Sequence, residues 1–190
     1  MRKTVVLALL ASLIVCVSTL SAEPKWTDYS PSFNAGSLAV QGGIGLGYSM
    51  PGTVNVPPVG AAVDYAVRAG DLPFSFGAYV GYASSKETFS YFGYDWSYEY
   101  SYVIVAGRAA YHVDFGVKNL DTYAGLLLGY AIANASVSGT AFPGQSAATA
   151  GGIALGGYLG ARYFFTPRFG AFAELGYSVG YLSLGVAYKI

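Results

Sequence analysis

Beyond its first two dozen residues the 190-residue chain has no run of roughly 20 apolar residues, the length that a membrane-spanning helix requires. A helical membrane protein is excluded for the body of the chain, yet 54% of the residues are hydrophobic, so that character must be spread over short segments. Cysteine is reduced to Cys16. It falls in the leader described below, and no disulfide framework is expected in what remains. Charge is sparse and balanced, ten basic against ten acidic residues. Loss of Arg2 and Lys3 leaves a slight acidic excess, which argues against a nucleic-acid partner. One histidine, His112, is all that acid–base or metal chemistry could draw on. No metal-ligand spacing, phosphate-cradling loop or nucleophile elbow appears, so no cofactor is expected.

The first residues are those of an exported chain. Arg2 and Lys3 precede an apolar run from Val5 to Val17, followed by Ser18, Thr19, Leu20, Ser21 and Ala22. A basic start, a short apolar core and small residues before a break predict a signal peptide over 1–22, leaving 23–190 as one domain. Val15 stands where a lipoprotein leader needs a small residue, so Cys16 leaves with the leader.

What the chain does have is glycine, tyrosine and phenylalanine, 26, 18 and 11 of them, arranged in alternation. Eight alternating segments predict strands over 37–48, 59–69, 74–83, 100–113, 120–133, 152–164, 169–178 and 181–190. The last sets Leu182, Leu184, Val186, Tyr188 and Ile190 against Ser183, Gly185, Ala187 and Lys189. In the first, Leu38, Val40, Ile44, Leu46 and Tyr48 share one face; in the seventh, Ala171, Ala173, Leu175 and Tyr177 do. Turn chemistry separates the segments, and 50–58, 84–99 and 136–151 read as the long connections. Throughout, large aliphatics and tyrosines occupy one side, while Asp64, Arg68, Arg108, Arg162, Glu174 and many glycines occupy the other.

A soluble barrel has an apolar interior and a polar outside. Here the pattern is reversed, and open apolar edges need closure. The expected fold is therefore all-β, an eight-stranded antiparallel up-and-down transmembrane barrel. Long connections after the first, third and fifth strands and short ones after the second, fourth and sixth place both termini in the periplasm, the last outer loop being a short exception.

SLGVAYKI over 183–190, with Ser183, Gly185, Tyr188 and Ile190, resembles the C-terminal assembly signal of bacterial outer-membrane barrels, although that family usually ends in phenylalanine. YFFTPRFGAFAELGYS over 163–178 is similar to the penultimate hairpin of small barrels of the OmpA and OmpX type. The resemblance implies residence in the bacterial outer membrane, contact with its lipid, recognition by the barrel-assembly machinery, and a monomer.

Two groups of residues are candidate sites. Charges on the lipid side would cost a few kcal/mol at the midplane. Asp64, Arg108 and Glu174 at mid-height, and Arg68, Arg162, Asp121 and Lys189 nearer the periplasmic rim, should therefore face the lumen and pair. A salt-bridge network filling a narrow barrel is favoured over a gated pore, since eight strands leave an interior just wide enough for side chains. The second group is Phe92, Tyr94, Trp96, Tyr98, Tyr100 and Tyr102, an aromatic at every second position. It reads as an extended interfacial girdle or as a projecting hairpin that binds a host or surface ligand. Unbroken alternation puts the row on the side of Arg108, unless a bulge near Gly107 turns it outward. His112 reads as a rim residue beside Asp114, which leaves hydrolysis poorly supported. The expected function is non-enzymatic, structural or surface-interacting, with a small porin-like diffusion channel as alternative and a lipid-modifying enzyme as a lesser one.

Overall fold

The computed structural model describes residues 23–47, 50–140, 146–176 and 178–190. The expected leader, Tyr48 and Tyr177 lie outside these described residues. Eight strands follow one another: β1 (Leu38–Leu46), β2 (Thr53–Ala69), β3 (Leu72–Tyr91), β4 (Tyr94–Val113), β5 (Leu120–Gly139), β6 (Ala148–Phe164), β7 (Phe169–Gly176) and β8 (Leu182–Lys189). Each pairs antiparallel with its neighbours in the chain, and β8 pairs with β1 from Leu182↔Leu46 to Lys189↔Ala39. This closes the ring and leaves no free first or last strand.

The seam is narrow for a reason visible in two glycines. Gly43 and Gly185 face each other across it, and a Cβ on either would strike the backbone of the opposite strand. The register also records the tilt that closure demands. From Ile44 the pairing through β2, β3, β4 and β5 arrives at Gly151 on β6. Through β8 and β7 it arrives at Ala161 on that same strand.

The outer surface of the ring is apolar. Val40, Ile44, Val80, Val105, Leu126, Leu128, Leu155, Leu159, Leu175 and Val186 are all exposed. Tyr65, Tyr163, Phe169 and Tyr188 ring the end bearing the termini, and Tyr82, Tyr130 and Tyr181 ring the other. An apolar belt between aromatic girdles is the surface that lipid requires.

Strand lengths are uneven. β1, β7 and β8 have 9, 8 and 8 residues, close to the roughly 9–11 that cross a bilayer, whereas β3, β4 and β5 have 20 each. The long strands continue past the belt as a sheet, and their polarity reverses there. On the outward side Lys86, Thr88 and Ser90 of β3, Asp95, Ser97 and Glu99 of β4, and Asn134, Ser136 and Ser138 of β5 follow the apolar positions below them. On the inward side the aromatic residues begin.

That reversal explains where the structure departs from the sequence expectation. Segment 84–99 is not a loop: β3 and β4 run on as one hairpin closed by Phe92 and Gly93, both at positive φ (47° and 82°). Likewise β5 reaches Gly139 and β6 starts at Ala148, inside the expected connection 136–151. In the proline-rich stretch 50–58, β2 begins at Thr53 and passes Pro57 and Pro58 through two register shifts. β1 pairs with β2 only as far as Val59, so those prolines sit where no ladder partner is demanded on that side.

Candidate functional site

Inward-facing positions carry one connected polar network. Asp64, on β2, receives both arginines: Arg108 Nε of β4 stands 2.9 Å from Oδ1, and Arg162 Nη2 of β6 contacts Oδ2. Arg108 Nη2 also reaches Glu174 Oε1 at 2.6 Å, and its Nε–H donates to the Tyr158 hydroxyl at 3.1 Å. Arg162 Nε donates to Gln41 Oε1 at 2.7 Å, and Nη1 lies 3.3 Å from Asp121 Oδ2. Glu174 takes further bonds from Gln41 Nε2 at 2.7 Å and the Tyr123 hydroxyl at 2.8 Å. Both guanidiniums lie over aromatic rings, Arg108 at 4.2 Å from the Tyr158 centroid and Arg162 at 4.4 Å from that of Tyr123. Asp64, Arg108, Asp121 and Arg162 are buried, so their charges are compensated by protein groups rather than by water. The gaps beside Glu174 hold about 10 Å³ each, room for about one water apiece.

Arg68 does not belong to this network. It lies at the mouth, its side chain 45% exposed, 3.9 Å from Asp28 and over the Tyr29 ring. The reason is its place opposite Pro73, next to the β2–β3 turn, where the inward side of the strand already meets water. His112, expected at the rim beside Asp114, is instead fully buried: Nδ1 lies 2.7 Å from Asp121 Oδ1, and Nε2 lies 2.9 Å from Ser75 Oγ. Arg162 and Asp121, also expected near the rim, are equally enclosed.

Ser75, His112 and Asp121 have the connectivity of nucleophile, base and carboxylate. Their surroundings oppose that use. Asp121 is shared with Arg162, and the Phe33 and Tyr29 rings cover His112 at 5.1 and 5.5 Å. None of the described cavities is lined by Ser75 or His112.

The cover is the N-terminal segment 23–37, which crosses the barrel mouth. Lys25 and Asp114 exchange backbone hydrogen bonds at 2.7 and 3.2 Å. The Tyr29 hydroxyl donates to the Val67 carbonyl at 2.8 Å, and Lys189 Nζ to that of Ser32 at 2.6 Å. Phe33 is completely buried beneath Arg162 and His112. Sequence reasoning missed this cork, since the segment has no alternation. Its one trace is the insertion of Tyr29 and Phe33 into a serine-rich stretch.

At the opposite end β4 pairs with β3 and β5 without a bulge at Gly107, so the aromatic row continues the inward face of Arg108. Phe89 and Trp96 stack at 5.4 Å, and Tyr98 and Tyr100 at 5.9 Å. Desolvation, then Glu87 and Tyr98, push the Tyr100 phenol above its ordinary value. Phe92 is apart from the row, at the turn and 83% exposed. In β8, Ser183 pairs with Gly45 and Glu174, Tyr188 packs on Phe169 at 4.8 Å, and Ile190 N–H donates to the Leu38 carbonyl at 2.8 Å.

No protein-family model matches the chain, and no curated protein does. Among solved structures, a major outer membrane protein from Thermus thermophilus is 16% identical, with a TM-score of 0.56 over 81% of this chain and 99% of that one. The N-terminal β-barrel domain of Pseudomonas aeruginosa OprF is 17% identical, with a TM-score of 0.44 over 82% and 98%. Ail, the attachment invasion locus protein of Yersinia pestis, solved in complex with the heparin analogue sucrose octasulfate, is 18% identical, with a TM-score of 0.42 over 81% and 96%. Taken with the closed ring, the lipid-facing belt and the charged lumen, the likeness to the Thermus protein gives this chain the fold of a small bacterial outer-membrane β-barrel.

Proposed function

We propose that the protein is a non-enzymatic outer-membrane barrel whose work is done by the sheet it raises above the bilayer. Residues 1–22 direct export, and Ser183, Gly185, Tyr188 and Ile190 mark the chain for the barrel-assembly machinery. The observation that carries this reading is the reversal of polarity along β3, β4 and β5. The strands outlast the membrane belt and then present an aromatic face that a purely structural barrel has no use for. The tyrosines and tryptophan of that face are half-buried, and such rings supply large contact area at small entropic cost. The lumen is filled by ion pairs and closed at one mouth by Phe33, which supports display over diffusion.

The charges on the sheet bear on the ligand. Glu87, Asp95 and Glu99 outnumber Lys86, so a sulfated polyanion finds no basic patch there. Brief proteolysis of intact cells should cut within 84–102 and leave the rest of the barrel protected in the membrane. Cleavage only after the outer membrane is permeabilised would place the sheet on the wrong side and overturn the reading.

A further inference from the structure

The foot of the raised sheet holds two adjoining hollows. The upper, about 360 Å³, is lined by Met50, Pro51, Tyr100, Tyr102 and the methyl groups of β5 and β6, among them Ala133 and Ala150. The lower, about 560 Å³, shares Tyr102, Ala133 and Ala150 and runs down to Ala131 and Ala154. Both lie within the size range of small-molecule sites, roughly 300–1,000 Å³. Among the described residues neither is lined by an Asp, Glu, Lys or Arg, so no counter-ion for a charged ligand is found there. Tyrosine rings form one wall while alanine and glycine leave space opposite, a section suited to a slender chain.

The lower hollow also touches Ile153 and Leu155, which are 81% and 67% exposed on the lipid-facing side of β6. It does so because β7 ends at Gly176, opposite Tyr158, so β6 above that point has no β7 alongside. The wall is low there, and the inner apolar surface becomes continuous with the outer one.

We infer that this trough holds an alkyl chain of an outer-leaflet lipid, drawn over the low rim at β7 and laid against Tyr102 and Tyr100. This deepens the display reading and rests on its placement of β3–β5 outside the bilayer. An amphiphile would bury its tail among the alanines and leave its polar end beside the tyrosine hydroxyls.

The test uses the full chain with Trp26 and Trp96 replaced by phenylalanine and one new tryptophan at a time. Each variant is inserted into phosphatidylcholine vesicles whose acyl chains carry bromine, a short-range quencher. Leu155→Trp, on the belt, should be quenched and reports insertion. Tyr100→Trp should also lose emission, and adding Ala133→Phe or Ala150→Phe to fill the trough should restore it. Glu99→Trp, on the opposite face of β4 and above the belt, should keep its emission. Quenching at position 155 but not at 100 overturns the inference and leaves the barrel reading standing. No quenching at 155 sinks the membrane reading and the inference together. Loss of emission at 100 to a soluble quencher alone, such as iodide, shows an open aqueous surface and also overturns it.

Discussion

At the scale of single residues, burial decides which charges matter. Asp64 lies between two buried guanidiniums, and its removal leaves both without their shared counter-ion. Breaking such a pair costs about 3–5 kcal/mol. Asp64→Ala should therefore lower the urea midpoint of the vesicle-inserted barrel sharply, whereas Arg68→Ala should cost about 1 kcal/mol of unfolding free energy or less. Equal effects would show that Arg68 takes part in the network after all. Both residues have inward parity, and the sequence reading grouped them for that reason. Parity reports which side a residue faces but not how far up the strand the lumen extends, so it could not separate Arg68 from the enclosed charges. The same blindness to height put His112, Asp121 and Arg162 at a rim, where the structure has them sealed behind Tyr29 and Phe33.

At the scale of elements, the cork and the raised sheet show two different limits of pattern reading. Alternation with an apolar outer side identified the strands as far as lipid reaches, and stopped where outward positions turned polar. The continuation of β3 into β4 was legible only as an aromatic row, since Lys86, Thr88 and Ser90 no longer resemble a membrane strand. Segment 23–37 makes its contacts one at a time, through Tyr29, Ser32 and Phe33, and no periodicity announces that. Its energetic role is separable from occlusion. Phe33→Ala should destabilise the barrel by about 3–5 kcal/mol through the cavity it leaves. Planar bilayers containing this variant should still show no steady conductance, because the Arg108 and Arg162 ion pairs continue to fill the section above. A lasting open current would mean that the cork alone seals the barrel.

At the scale of the whole molecule, closure rests on the β1–β8 seam, where sequence reasoning correctly joined the last strand to the first. Gly43 and Gly185 leave no room for a side chain between these strands. Gly185→Val should reduce the fraction of protein that migrates faster before boiling than after it, the gel signature of a closed barrel. An unchanged compact fraction would show that the seam can widen. The reversal of polarity on the long strands has a consequence at this scale too. Along the outward side, β3 passes from Tyr82 by way of the buried Ser84 to Lys86, β4 from Val103 to Ser101, and β5 from Ile132 to Asn134. Three adjacent strands thus carry a waterline painted to within a residue or two. A bilayer that thickens by a few ångströms must either pinch inward around the protein or submerge Asn134 and Lys86, so the molecule has one natural draught.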